Sequence, residues 1–291
     1  MPIRQKLFIM QLREPTDQLT GVAETLMITL YARAIETQRP EPILRDRQAV
    51  EIAEYLDYDF SKYEKGWGSQ LGCVIRVRAI DRIVQNFLET HPSAVIVNLG
   101  AGLCTRFSRL DNGEVRWYEV DFPEVITLRR KFFQESERYH FIAKSILDFT
   151  WMDAIQRSPN QPIMILYEGV SMYLSEADNK ALLQHIDTRF APVEVLFDVI
   201  SRKRSQSTKQ HDTVSKTNAE FKWGIDDSRE LESWSPNIIL KQEEFYLTQF
   251  LDYSQRLPIV WRMVSQLFPF IPLALFKNSG RIVRLQVGSH F

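Results

Sequence analysis

The sequence predicts an α/β protein with a mostly parallel central sheet, helices on both faces of the sheet, and a helical N-terminal cap. From about residue 91 to residue 200, short apolar runs alternate with amphipathic stretches, whereas the first 90 residues show only helical periodicity. Strands that alternate with helices are typical of a parallel sheet, because each helix carries the chain back to the edge where the next strand begins. The chain has 291 residues, 44% of them hydrophobic, which is enough for one large domain with a full core.

The N-terminal cap is predicted from three segments with helical spacing. Apolar residues recur every three or four positions in residues 20–37, where Val22, Leu26 and Leu30 share one face, and again in residues 43–55. A third helix is predicted for residues 71–88, with Val74 and Ile80 on its buried face. These helices precede every predicted strand, so we expect them to lie together beside the sheet.

The central sheet is predicted from five short apolar runs, each read as a buried parallel strand. Three amphipathic helices are expected between them. The strands are residues 95–99, 115–120, 139–143, 163–167 and 193–199, and the helices are residues 122–137, 152–157 and 176–189.

The C-terminal third predicts a loop and two further strands. Residues 201–217 are rich in Ser, Thr and basic side chains, which favours a solvated loop or a poorly ordered lid. Strands are expected at 238–241 and 281–287, the second antiparallel because its apolar and polar residues alternate. The seven strands give one domain: a cap in 1–90, a core in 91–200, a lid in 201–235 and C-terminal strands and a helix in 236–291.

Composition argues against several classes of partner. Lys and Arg total 36 against 37 Asp and Glu, so no basic field is present to attract nucleic acid. Cys73 and Cys104 are too few for a disulfide framework and lack zinc-site spacing, which predicts reduced thiols, no metal and a cytoplasmic protein.

Residues 1–10 lack the apolar core of a signal peptide. Residues 267–276 contain two prolines and fall short of the roughly 20 residues that span a bilayer, so no membrane segment is expected.

A glycine turn follows the first strand in "AVIVNLGAGLCTRFSRL", residues 94–110. Gly100 and Gly102 can adopt backbone conformations that other residues resist, and they let a ligand approach closely at the start of the next helix. The turn is shorter than the dinucleotide fingerprint and lacks the Lys-Ser/Thr of a phosphate-binding loop. It predicts a nucleotide-type ligand, with a tight turn that binds nothing as the alternative.

Carboxylates follow the strands at the edge where parallel sheets bind ligands. Glu119 and Asp121 end the second strand, where an acid can accept hydrogen bonds from a ribose diol, and spacing does not choose between them. Asp148 is placed to contact an adenine, with Phe149 or Trp151 beside the ring, although Asp148 equally fits a helix N-cap. Glu168 ends the fourth strand and suits a cationic ligand group. A ligand with adenine, ribose, amino and carboxylate groups is S-adenosylmethionine.

The chain resembles the leucine carboxyl methyltransferase family, in particular its bacterial branch, which includes polyketide O-methyltransferases. The resemblance rests on blocks that cover the N-terminal 175 residues in order: "GVAETLMITLYARAIE", "RPEPILRDRQAVEI", "LDYDFSKY", "VNLGAGLCTRFSRL", "YEVDFPEV" and "YEGVSMYL". It implies a Rossmann-like class I methyltransferase fold with a seven-stranded sheet, and S-adenosylmethionine as cofactor.

The resemblance also implies roles for individual residues. Arg76 would hold the cofactor carboxylate, with Arg33 as an assistant, and Glu168 would accept from the amino group. The remaining implied contacts are Gly100 and Gly102 at the methionine part, Asp121 at the ribose, and Asp148 and Phe149 at the adenine. Cys104 stands where the family usually has Asp, a departure that we expect to weaken cofactor binding.

The predicted activity is methyl transfer from S-adenosylmethionine to a carboxylate or hydroxyl of a small molecule. His185 and His211 lie outside any recognisable site motif, and the absence of an obvious base favours an acceptor that is already ionised. Tyr173 is the candidate for contacting the acceptor or the methyl group, with core packing as its alternative. The alternative functions are a protein C-terminal carboxyl methyltransferase and a non-catalytic S-adenosylmethionine-binding protein. No oligomeric state is predicted.

Overall fold

The computed structural model describes residues 13–267 and 280–288. Three helices form the N-terminal cap as predicted: α1 (Leu26–Thr37), α2 (Arg47–Tyr55) and α3 (Trp67–Thr90). Helix α2 begins where the Asp46 carboxylate accepts the N–H of Ala49 at 3.0 Å, which satisfies one of the unpaired donors of its first turn. A short parallel pair joins Glu14–Pro15, before α1, to Leu56–Asp57, directly after α2.

The central sheet has seven strands in the described residues, which confirms the predicted fold class. The strands are β1 (Val95–Leu99), β2 (Arg116–Asp121), β3 (Tyr139–Ala143), β4 (Ile163–Tyr167), β5 (Val193–Ile200), β6 (Ile238–Glu244) and β7 (Gly280–Val287). Their order in the sheet is β3-β2-β1-β4-β5-β7-β6. Strand β7 is antiparallel to both of its neighbours, as its alternating pattern predicts, and β1 to β5 are parallel.

The sheet separates two apolar layers, because successive side chains of a strand point to opposite faces. In β1, Ile96 packs into the layer that contains the cap helices, while Val95 and Val97 pack into the other layer. Helix α3 fills the first layer, and α6 (Glu176–Phe190) fills the second through Leu182 and Ile186. Helices therefore cover both faces, and ligands can reach only the edges of the sheet.

Two predicted helices differ from the structure. The helix predicted for 122–137 is α5 (Pro123–Arg129), which ends early in turns that lead the chain into β3. The helix predicted for 152–157 is a 3-10 helix over Phe149–Ala154. The buried Trp151 indole donates to the carbonyl of Ile146 at 3.0 Å, which holds this segment in a tight turn. The other helices are α4 (Arg106–Leu110), α7 (Arg202–Ser205) and α8 (Ile259–Leu267).

The segment 201–217, predicted to be a solvated loop, packs partly against α3. The first turn of α3 has Gly66 at its N-cap and therefore no capping side chain of its own. Asp212 supplies the missing acceptor: its carboxylate accepts the N–H of Ser69 at 3.1 Å and also the Ser69 hydroxyl. Thr213 and Val214 are buried beside it. The segment is therefore attached to α3 and is not a loop that lies free in solvent.

No helix within residues 13–267 and 280–288 is long and apolar enough to cross a membrane. Apart from Leu267, the apolar run 267–276 lies outside the described residues, as do residues 1–10.

Candidate functional site

A cavity of about 360 Å³ lies at the carboxyl edge of the sheet, where the loops after β1 to β5 meet helices α1 and α3. Open parallel sheets bind their ligands at this edge. Its walls bring together most of the residues that the sequence singles out: Arg33, Arg76, Gly100, Gly102, Cys104, Asp121, Glu168 and Tyr173.

The glycine turn after β1 forms one wall of the cavity. Gly100 and Gly102 have φ angles of +66° and +50°, in the left-handed region that favours glycine. A Cβ on Gly100 would lie 2.5 Å from Cγ2 of Val170, which is closer than two non-bonded carbon atoms can approach. The turn therefore requires glycine for both its backbone conformation and its contact with the loop after β4.

Asp121 ends β2 and faces the same cavity. Its two carboxylate oxygens accept the N–H groups of Gly102 and Phe122, both at 2.7 Å. Burial raises its pKa to about 6, although these two hydrogen bonds oppose the shift. Asp121 is thus mostly ionised at neutral pH, and each oxygen retains a lone pair for a further donor.

Glu119, the alternative that the sequence leaves open, is fully buried and lines no part of the cavity. One oxygen pairs with the Arg129 guanidinium at 2.8 Å, and the other accepts from the Asn98 amide at 2.6 Å. Arg129 also donates to the carbonyls of Gly102 and Cys104, each at 2.8 Å. The structure therefore separates the two acids: Asp121 faces the cavity, and the Glu119–Arg129 pair supports the glycine turn from behind. The role of Arg129 had no recognisable signal in the sequence.

Glu168 follows β4 and is held between two arginines. Its Oε1 accepts from Arg76 at 2.9 Å, and its Oε2 accepts from Arg106 at 2.6 Å. Burial alone would raise the pKa of Glu168, but the two guanidinium groups outweigh it and lower that pKa to about 2. Glu168 is therefore an ionised carboxylate over the whole neutral range.

Arg76 has a second carboxylate partner, Asp198 of β5, at 3.0 Å. The other oxygen of Asp198 accepts the N–H of Gly169 at 2.6 Å, which fixes the loop after Glu168. Sequence reasoning missed Asp198 and Arg106. The signal for Asp198 was present, because an acid inside the apolar strand "VEVLFDVI" needs a buried partner.

These pairs belong to a continuous cluster that joins the cap to the sheet. Arg106 and Arg109 both pair with Asp81 of α3, and Arg109 and Arg33 both pair with Asp46. Four arginines meet four carboxylates in this cluster: Arg33, Arg76, Arg106 and Arg109 with Asp46, Asp81, Glu168 and Asp198. The cluster is electrically balanced, so a zwitterion can bind there without leaving an unpaired charge.

Asp148 and Phe149 do not reach the cavity, contrary to the sequence prediction. Asp148 is exposed and accepts the Thr150 N–H at 3.2 Å as the N-cap of the 3-10 helix, which was its alternative role. Phe149 stacks on His185 with ring centroids 3.7 Å apart. The residues that line the cavity after β3 are Ser145, Ile146 and Leu147.

Tyr173 lines the cavity, and burial raises the pKa of its hydroxyl, so it stays a neutral phenol. Cys104 also lines the cavity and accepts a weak hydrogen bond from Arg106 at 3.5 Å. His211, to which the sequence gave no role in the site, is in the wall as well.

Comparison with known proteins agrees with this arrangement. The family model described as leucine carboxyl methyltransferase matches residues 26–187, more than half of the chain. The tetracenomycin polyketide synthesis O-methyltransferase TcmP of Streptomyces glaucescens is 35% identical over 229 residues, which cover 78% of this chain and 84% of TcmP. The S-adenosyl-L-methionine-dependent methyltransferase dpfgK of Gibberella zeae is 30% identical over 258 residues, covering 80% of this chain and 85% of dpfgK.

Among solved structures, a DUF574 family protein from Streptomyces avermitilis superposes with a TM-score of 0.59 at 10% identity, covering 90% of this chain and 97% of that protein. That likeness shows a shared fold. The sequence matches confirm the predicted family, enzyme class and cofactor. The chain belongs to the leucine carboxyl methyltransferase family and is an S-adenosylmethionine-dependent methyltransferase.

Proposed function

We propose that this enzyme methylates an oxygen atom of a small molecule. The observation that carries the proposal is the cavity itself, which joins the charged cluster and the glycine turn to an apolar chamber within one enclosure. TcmP, which is named as an O-methyltransferase of polyketide synthesis, supports the same reaction type.

The chain's own residues fit S-adenosylmethionine by their chemistry. Asp121 offers an ionised carboxylate beside the glycine turn, which suits a ribose diol. Glu168 suits an ammonium group, and Arg76 suits a carboxylate because, in the described residues, Glu168 and Asp198 engage its Nε and Nη1 and leave the N–H groups of Nη2. We place the adenine against Ser145, Ile146 and Leu147 instead of Asp148 and Phe149, since only the former line the cavity.

When bound, S-adenosylmethionine supplies a methyl group that is already activated by its sulfonium. The protein therefore has to align an acceptor oxygen with that methyl and exclude water. The buried walls around Met172 and Leu174 exclude water, and the glycine turn sets the position of the methionine part. An acceptor that is already ionised needs no base from the chain.

Tyr173 is proposed to contact the acceptor as a hydrogen-bond donor. Its raised pKa keeps the proton on the hydroxyl, which rules out a phenolate base at neutral pH. Tyr173→Phe should therefore raise KM or lower kcat for the acceptor without changing the affinity for S-adenosylmethionine. An unchanged kcat and KM would leave Tyr173 a packing residue.

The experiment that tests the proposed function uses S-adenosylmethionine with an isotopically labelled methyl group. The protein is incubated with a set of aromatic acids and phenols, and the label is followed into organic products. Alkaline hydrolysis then distinguishes the products, because a methyl ester releases labelled methanol and a methyl ether does not. Binding of S-adenosylmethionine without transfer to any oxygen of the set would contradict the proposal. The inactive control is Glu168→Gln, which removes the charge of a proposed cofactor contact.

A further inference from the structure

The order of the strands divides the cavity into two ends. Across the carboxyl edge of the sheet the order is β3, β2, β1, β4, β5. The residues proposed for adenine, ribose and methionine follow β3, β2, β1 and β4 in turn. The wall beyond β4 comes from the segment after β5, residues 201–222, together with the first turns of α3. Because the proposed cofactor contacts take up the other strand ends, we assign this far wall to the methyl acceptor, and this assignment rests on the proposed function.

Arg204 differs from every other arginine of the cavity within the described residues. Arg33, Arg76, Arg106 and Arg109 are each paired with at least one carboxylate. Arg204 lies in α7, is half-buried and lines the far wall, but the part of the chain that the structure describes offers its guanidinium no ion pair or hydrogen bond. Lys222, the lysine of the lining, is exposed at the rim and interacts with Asp178. A half-buried cation without a counter-ion is a receptor for an anion.

His211 adds a neutral donor beside this cation. Its Nδ1 accepts the N–H groups of Thr213 at 3.4 Å and Val214 at 3.2 Å. Burial and the nearby Arg204 lower its pKa to about 4, against the opposing effect of the Asp212 carboxylate 3.4 Å from Nδ1, so the ring is neutral. Because Nδ1 accepts these two N–H groups, we assign the proton of the ring to Nε2. The far wall therefore carries a fixed positive charge and a hydrogen-bond donor.

The rest of this wall is mostly apolar or aromatic. Val214 and Phe221 supply its apolar surface, Ser69 and Thr213 are its small polar residues, and Met172, Tyr246 and Leu247 extend the apolar lining beside it. Such a lining favours a ligand with a hydrophobic body and one charged end.

We propose that Arg204 is a substrate-binding residue that determines specificity, and that together with His211 it binds the carboxylate of an aromatic or otherwise apolar organic acid. The carboxylate is also the acceptor: one of its oxygens uses a lone pair to form the new C–O bond while the C–S bond of the donor breaks and leaves its electron pair on sulfur. No proton moves. The product is a neutral ester, which Arg204 holds less tightly than the acid, so the same residue favours product release.

The test measures binding of matched acids and amides. Benzoate, 1-naphthoate and anthracene-2-carboxylate, with the corresponding primary amides, are titrated by calorimetry into protein saturated with S-adenosylhomocysteine, which prevents turnover. The wild-type enzyme should bind at least one acid more tightly than its amide by roughly tenfold or more, the range for a charged hydrogen bond. Arg204→Gln should abolish this preference, and Arg204→Lys should keep part of it.

The matched control is Arg202→Gln, on the same short helix. Arg202 is exposed and pairs with Glu230, so this variant removes the same charge but should keep the full preference for the acid. A preference that survives in Arg204→Gln overturns the inference, and so does a wild-type protein that prefers none of the acids to its amide. The S-adenosylhomocysteine titration is a separate readout. If the wild-type protein does not bind S-adenosylhomocysteine, the proposed function is contradicted. The preference for acids over amides can then still be measured on the protein without S-adenosylhomocysteine.

Discussion

Arg106 donates a hydrogen bond to Oε2 of Glu168 at 2.6 Å, although 62 residues separate the two in the sequence. The pair connects α4, which follows the glycine turn, to the loop that follows β4. Because Arg76 occupies the other oxygen of Glu168, one carboxylate fixes two arginines from two different helices.

Removing the charge of Glu168 should affect both stability and binding. Glu168→Gln leaves Arg76 and Arg106 buried with one carboxylate fewer, which should lower the free energy of unfolding by about 3 kcal/mol. Urea denaturation measures this change, and calorimetry should show weaker S-adenosylmethionine binding as well. Glu176→Gln is the control, since its exposed pair with Lys180 should contribute less than about 0.5 kcal/mol. Equal free energies of unfolding for Glu168→Gln and Glu176→Gln would contradict the role of Glu168 as the shared partner of Arg76 and Arg106.

Gly169 should be needed both for its backbone conformation and for the space that it leaves to Arg76. Its φ is +69°, and an added Cβ would lie 3.1 Å from Nη2 of Arg76. Gly169→Ala should lower stability by about 1–2 kcal/mol and weaken cofactor binding. Gly113→Ala is a matched control, because Gly113 has a φ of +84° and open space around its Cβ position. Both variants should be strained, but only Gly169→Ala should change the affinity for S-adenosylmethionine.

Asp121 should make stability depend on pH in a defined direction. Its folded-state pKa of about 6 exceeds the ordinary value, so the folded protein binds a proton that the unfolded chain releases between pH 4 and 6. The stability that this provides is present below pH 4 and lost as the pH rises through 6. A shift of about 2 pK units corresponds to about 3 kcal/mol.

The comparison with Asp121→Asn isolates this group. Urea denaturation of both proteins between pH 4 and pH 7.5 should show the wild type losing about 3 kcal/mol relative to the variant as the pH rises. A constant difference across this interval would mean that the pKa of Asp121 is not raised.

Asp212 should keep the segment 201–217 attached to α3. Asp212→Ala removes the acceptor for the Ser69 amide and hydroxyl, which should cost about 1–2 kcal/mol. Lys203, Lys209 and Lys216 are already exposed, and a loosened backbone around them should be cleaved faster by trypsin. Asp227→Ala removes a similar cap, to the N–H of Arg229, outside this segment. Faster cleavage within 201–217 is expected for Asp212→Ala alone, as measured by mass spectrometry of the fragments.

The sheet was predictable because the pattern that marks each strand lies within the strand's own short sequence. Each of the five parallel strands is a short apolar run, and alternation in 281–287 predicted the direction of β7. The end of α5 was not predictable from the sequence, because residues 130–137 continue the amphipathic pattern of the helix. In the structure these residues form turns that connect α5 to β3.

The site was predictable only where a strand end fixes a residue's place. Asp121 and Glu168 were located because both end strands, whereas Glu119 was ambiguous until Arg129 was found beside it. Asp148 was predicted at the adenine and is observed as an N-cap, because a carboxylate just after a strand suits either role. Arg106, Arg204 and His211 reach the cavity through tertiary packing, and no local pattern marks such contacts.

The two ends of the cavity come from different parts of the chain, and this has a consequence for how the enzyme can diversify. The end proposed for the cofactor is built on the glycine turn and strand termini, where the ion pairs allow few substitutions. The end proposed for the acceptor is built largely on residues 201–222, a surface segment held by Asp212. Natural variation or directed evolution in that one segment can therefore change the accepted molecule while the methyl donor stays the same.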